Sequence, residues 1–177
     1  MRGFIKIVLS LVVILLVSCG TDPEIKNEAN RIFPEYHYAL DSIIKTTDGI
    51  VAGVELGQAR KMILTEHVKN AADQDKEGLV YEQKIDSLTK YNITYTFDND
   101  TISEIEVMIQ SSSRDEGDKI LNDLKDYYRK KYTSPVMDKG YFVFNCFDSK
   151  KRNFIITLTD NGGNSNSVID MLIYREK

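Results

Sequence analysis

Between Tyr91 and Ile109 the chain alternates twice between apolar and polar side chains. Tyr91, Ile93, Tyr95 and Phe97 are separated by Asn92, Thr94 and Thr96, and Ile105, Val107 and Ile109 are separated by Glu106 and Met108. A period of two puts one set of side chains on each face of an extended strand, so each run reads as a half-buried strand. Asp98-Asn99-Asp100 between them is turn chemistry. The stretch therefore predicts a hairpin with one face on a core and one face in water, which places it in an antiparallel sheet covered on a single side.

The flanking segments supply the cover. Ser113 and Glu116 have the Ser-x-x-Glu spacing of a capping box, Asp115 and Glu116 fall in a first turn, and Arg129, Lys130 and Lys131 fall in a last turn. Ile120, Leu121, Leu124, Tyr127, Tyr128 and Tyr132 form the apolar stripe of the helix between, which Ser134-Pro135 ends. Pro34 suits a first helical turn, with Tyr36, Leu40, Ile43 and Ile44 on one face. A second helix is expected from Gly57 to Ala72, with Ala59, Met62 and Ile63 inward. Leu79, Tyr81 and Ile85 begin the strands. Tyr141 to Phe147 is apolar on both faces, which predicts a central strand, and Phe154, Ile156, Leu158, then Val168, Leu172 and Tyr174 complete the set. The fold class read from this order is α+β: two α–βββ units, the first with an extra helix, forming an antiparallel sheet with helices on one face. The expected division is residues 1–18, 19–33 and 34–177, the last with candidate pseudo-repeats 34–112 and 113–177.

The first eighteen residues have a different character. Arg2 and Lys6 precede an apolar run from Ile7 to Val17, and the first acidic residue is Asp22. A spanning helix needs about 20 apolar residues, so this run has the dimensions of a secretory signal. Leu16-Val17-Ser18-Cys19 resembles the lipobox of bacterial lipoproteins. That resemblance implies cleavage before Cys19 and an acyl (palmitate-type) lipid on it. It implies a tether from 19 to 33 and, because Gly20 rather than Asp follows the cysteine, an outer-membrane location facing the periplasm or the cell surface. Anchoring through several acyl chains is durable, at about 0.8 kcal/mol per buried CH₂.

Charge and cysteine usage narrow the function. The formal charge is −4, and loss of Arg2 and Lys6 with the signal brings it to −6. An acidic domain does not carry the basic footprint of a nucleic-acid binder. With Cys19 acylated, Cys146 is left alone, without an internal disulfide, and between Phe144 and Phe147 it reads as a small buried hydrophobe.

A second, weaker resemblance rests on Val54-Glu55-Leu56-Gly57 ahead of a helix and a strand meander, with Lys131-Tyr132 and Pro135 opening the strands of the second unit. It is similar to the small outer-membrane-assembly lipoproteins and to tandem β-lactamase-inhibitor-protein-like domains. It implies a protein that binds other proteins and catalyses nothing.

No catalytic constellation stands out. His37 and His67 lie in no recognisable frame and read as partly exposed helix residues. Asp73-x-Asp75-x-Glu77-Gly78 matches the first half of a calcium loop, but Lys84 occupies the twelfth position, where a bidentate glutamate belongs. Asp160 to Asn164 is oxygen-rich without a ligand spacing. No catalytic, metal or cofactor residue is therefore assigned. The expectation is a lipid-anchored, non-enzymatic envelope protein held to the membrane through Cys19. It would bind another envelope protein through the open sheet face, where Thr94, Thr96, Glu104 and Glu106 lie, or through the interhelical surface. The alternative is a small-ligand or glycan binder using tyrosines such as Tyr36, Tyr38, Tyr127 and Tyr128.

Overall fold

A computed structural model describes residues 31–63 and 65–176. The signal, Cys19 and the tether up to residue 30 lie outside the described residues. From Ile32 onward the chain forms one compact unit. Eight antiparallel strands make a single sheet: β1 (Ala71–Gln74), β2 (Gly78–Lys84), β3 (Thr89–Asp98), β4 (Thr101–Ser111), β5 (Val136–Asp138), β6 (Tyr141–Phe147), β7 (Asn153–Asp160) and β8 (Ser167–Tyr174). Their spatial order is β1-β2-β3-β4-β8-β7-β6-β5. Two four-strand meanders thus meet at a β4–β8 seam, where Ile105 faces Ile173, Val107 faces Met171 and Ile109 faces Ile169. The fold is α+β, with its helices on one face of the sheet.

The β3–β4 hairpin follows the alternation. Asn99 and Asp100 both have positive φ, the backbone that a two-residue hairpin turn with the twist of its strands requires. A bulge after Thr96 brings Ile102 onto the buried face with Phe97. Helix α3 (Arg114–Lys131) runs across the covered face and buries Ile120, Leu124, Tyr127 and Tyr128. Tyr128 packs edge-on to Phe144, and Tyr132 edge-on to Phe154. Ser113 caps α3 by accepting the Glu116 N–H at 3.4 Å, an arrangement worth about 1 kcal/mol. The reciprocal half of the capping box is absent. The Ser113 N–H donates to Ser111 Oγ instead, and the Glu116 carboxylate turns to His37.

The shorter helices depart from the sequence reading. α1 spans only Ala39–Ile44, with Pro34 in a turn ahead of it. No helix begins at Gly57. That residue has a φ of +81, its N–H donates to Ile102 O, and Gln58 O accepts from Ile102 N. Ala59 then bridges Thr101, so residues 57–59 pair with the start of β4. A 3₁₀ turn at Arg60–Met62 and a short helix α2 (Thr65–Lys69) come next. Met62 is exposed rather than inward, while Ile63 is buried.

Strands β1 and β5 have no counterpart in the sequence reading. Both are short edge strands whose residues are almost all exposed, so neither carries an alternating signal. β6 is not central. It lies next to the edge strand β5, with Tyr141 and Phe147 exposed. Its two-sided apolar character reflects an apolar outer face rather than burial on both sides.

Candidate functional site

The face of the sheet away from the helices is left open among the described residues. Cross-strand register arranges it in rows. One row reads Thr94, Glu106, Leu172, Thr157, Val143 and Val136, and the next reads Thr96, Glu104, Tyr174, Ile155 and Asn145. Its β3–β4 half is polar and acidic, and its β5–β8 half is largely apolar. Among the described residues no helix packs on this face: α1, α2 and α3 all contact the buried set, through Tyr91 and Ser42, His67 and Tyr81, and Tyr128 and Phe144. Two open depressions lie on it, at opposite ends of the strands. One, of about 740 Å³, includes Lys84, Asp86, Lys90, Gln110 and Val168. The other, of about 770 Å³, includes Thr96, Asp98, Glu104, Tyr174 and Arg175.

The tyrosines do not line these depressions, Tyr174 excepted. Tyr81, Tyr91, Tyr95, Tyr127 and Tyr128 are buried. Tyr36 meets Tyr127 edge-on at 6.3 Å, and the Tyr128 hydroxyl donates to Ile50 O at 3.2 Å. Burial pushes the phenols of Tyr95, Tyr127, Tyr128 and Tyr132 above their ordinary value, that of Tyr127 to about 12. These rings serve the core and give a ligand no stacking platform.

His67 is buried rather than partly exposed, while His37 keeps partial exposure. His67 stacks on Tyr81 with ring centroids 3.9 Å apart, and its Nδ1 lies 3.0 Å from the Tyr95 hydroxyl. His37 precedes α1 rather than lying on it. The Ala39 N–H donates to its Nδ1 at 3.2 Å, which leaves the proton on Nε2, and Nε2 lies 2.6 Å from Glu116 Oε1. Both ring nitrogens are therefore engaged, Nδ1 at the start of α1 and Nε2 on α3. The Tyr38 hydroxyl donates to Asp86 in the β2–β3 turn. Neither His37 nor Glu116 lines either depression. A histidine–carboxylate pair suits acid–base work only when a nitrogen can reach a substrate, and here none is left over.

Cys146 is buried, and burial pushes its thiol up to about 12, far from the range of a reactive cysteine. The acidic runs have structural employment. Asp75 Oδ1 accepts the N–H groups of Glu77 and Gly78, both at 2.7 Å, and shapes the β1–β2 turn. Asp73 lies in β1 and Lys84 ends β2. Asp160 Oδ1 accepts from Gly162 and Val168, while its Oδ2 accepts from the Ser167 hydroxyl and lies 2.9 Å from Arg114. Burial works to raise the Asp160 carboxyl, but these donors outweigh it and hold the group below its ordinary value. Among the described residues no group of three or more His, Cys, Asp or Glu side chains is placed to hold a metal ion.

One cluster escaped the sequence reading. Asp148, in the β6–β7 turn, accepts from Arg152 Nε and from an Arg175 Nη, each at 2.7 Å. Both arginines also donate to Leu56 O, Arg175 at 2.9 Å and Arg152 at 3.4 Å. The Val54–Gly57 stretch, singled out for its resemblance, is thereby clamped to the end of the sheet. The spacing between Asp148 and Arg175 is too long for any local pattern to reveal it.

Comparison with known proteins gives no match to a family model, to a curated protein or to a solved structure.

Proposed function

We propose that this chain is a lipid-anchored, non-enzymatic module of the bacterial envelope that binds another protein through the open face of its sheet. The observation behind the binding role is that face itself. It spans eight strands, no described helix covers it, and acidic Glu104 and Glu106 stand beside the apolar side chains of Leu172 and Tyr174. A mixed surface of this kind, with open depressions rather than an enclosed cavity, suits a macromolecular partner better than a small ligand, which favours an enclosed pocket. The engaged nitrogens of His37 and the core role of the tyrosines support the same reading. The anchor rests on the Leu-Val-Ser-Cys lipobox ending at Cys19.

Two measurements test the two parts. Cys19→Ala should move the protein from the membrane fraction to the soluble fraction, or leave it uncut with its signal. A variant processed and membrane-bound like the parent would remove the anchor. For the face, a photo-crosslinking residue at Thr94 or Glu106 in the full chain should give a discrete adduct in native envelopes. The same residue at Lys119, on the exposed side of α3, should give none. Equal labelling at all three positions, or none at the sheet, overturns the binding role.

A further inference from the structure

We propose that the β5–β6 edge of the sheet is a membrane-contacting rim that seats the domain on the lipid surface. Half of the eight exposed large hydrophobic residues among those described lie on these two neighbouring strands: Val136, Met137, Tyr141 and Phe147. Val136 and Phe147 are 61% and 64% exposed. β5 is the terminal strand and pairs with β6 only over Tyr141–Val143. Register places Val136, Tyr141 and Phe147 on the open face, while Met137, opposite Phe142, points to the helix side. The apolar side chains therefore stand on both sides of a thin rim and form no concave socket. A rim of this shape enters between lipid headgroups.

The charges around the rim complement anionic lipid. Lys139 sits at the tip of the β5–β6 turn, and Lys150 and Lys151 at the tip of the β6–β7 turn, so cations flank both ends of the apolar strand. Of the nearby acids, Asp138 is exposed, Asp148 is buried among its arginines, and Glu55 accepts from the Ser149 hydroxyl at 3.2 Å in the β6–β7 turn, which leaves the cations in excess. This is a basic rim on a chain whose total charge is −4, and basic residues beside exposed apolar ones are the pattern of interfacial binding. An exposed apolar edge strand left uncovered also invites aggregation, so a permanent cover has a physical use.

The inference rests on the lipid anchor. About a dozen residues join Cys19 to Ile32 and span at most roughly 45 Å, so an anchored domain meets the bilayer at high effective concentration and a weak contact suffices.

The chain contains no tryptophan, so Phe147→Trp introduces a single reporter, and Leu88→Trp, on the β2–β3 turn at the far side of the sheet, gives a reference. The full lipidated chain is reconstituted into phosphatidylethanolamine–phosphatidylglycerol vesicles with brominated acyl chains. In the Phe147→Trp variant the expected result is a blue-shifted indole that loses most of its emission to the brominated lipid. The indole of the Leu88→Trp variant should keep a solvent-like spectrum. A Phe147→Trp chain that floats with the vesicles while its indole stays unquenched overturns the rim and leaves the anchor standing. A chain that does not float overturns both. An indole at the β6 position that is shielded from iodide in native envelopes, yet unquenched in the vesicles, overturns the lipid contact in favour of a protein one.

Discussion

Gly117→Ala should destabilise the domain by about 2–3 kcal/mol, although alanine is the better helix former by about 1 kcal/mol. A Cβ at Gly117 would lie 2.0 Å from Ser167 Cβ and 2.3 Å from Ser167 Oγ. The first turn of α3 thus approaches the start of β8 with no room for a methyl group. Ser167 Cβ is fixed to the backbone of a central strand and cannot rotate away. The helix would have to lift, which loosens the packing of Ile120, Leu124 and Tyr128 along its whole length. Urea titration gives the size of the loss, and the expected fall in melting temperature is about 2–4 °C per kcal/mol for a domain of about 150 residues. Ser167→Gly removes both clashing atoms. By itself it also removes the hydroxyl that donates to Asp160 at 2.8 Å, so it should cost about 1 kcal/mol. The double variant should then be clearly more stable than the sum of the two losses. An alanine variant as stable as the parent would mean that α3 does not approach β8 this closely.

The parts of this fold that could be read beforehand are those whose signal is local. The β3–β4 hairpin announces itself because each of its strands buries one face and wets the other over many residues. Helix α3 does so because cap, charges and stripe agree. β1 and β5 are illegible for the opposite reason: they are short, and both their faces are wet. The helix expected from Gly57 fails because its spacing of Ala59, Met62 and Ile63 competes with a non-local pairing. Residues 57–59 bond to the start of β4, and a helix there would break those bonds. The open face is half legible. Thr94, Thr96, Glu104 and Glu106 mark its polar part, but Val143, Leu172 and Tyr174 read as interior because partly exposed apolar positions carry the same letters as buried ones. Asp148 and Arg175 meet only through the tertiary structure, and nothing local could have joined them.

That cluster carries the second large effect. The Asp148 side chain is 1% exposed, against 43% for Arg152 and 28% for Arg175. One oxygen holds the two guanidinium groups, and the other accepts the N–H groups of Lys150 and Arg152 at 2.9 Å each. Asp148→Ala leaves two cations against each other and against Leu56 O, and frees the β6–β7 turn. Removing one member of a fully buried ion pair costs about 3–5 kcal/mol. Water reaches both arginines and recovers part of that, so about 2–3 kcal/mol is expected here. Asp148→Asn keeps an acceptor and should lose roughly half as much. The two variants also separate charge from shape through pH. Burial works to raise the Asp148 carboxyl, but the bonds from Arg152 and Lys150 outweigh it and hold the group below its ordinary value of 3.8. A depressed folded value means that the stabilisation is complete above that ordinary value and is lost as pH falls through the folded one. Asp86 and Asp160 shift in the same direction, so the parent should lose stability steeply below about pH 4. Asp148→Asn, which has no proton to take up at this position, should lose stability less steeply over the same acid range and approach the parent at its lower end. Parallel melting curves for parent and variant from neutral to acid pH would show that the charge of Asp148 contributes nothing and that only its shape holds the clamp.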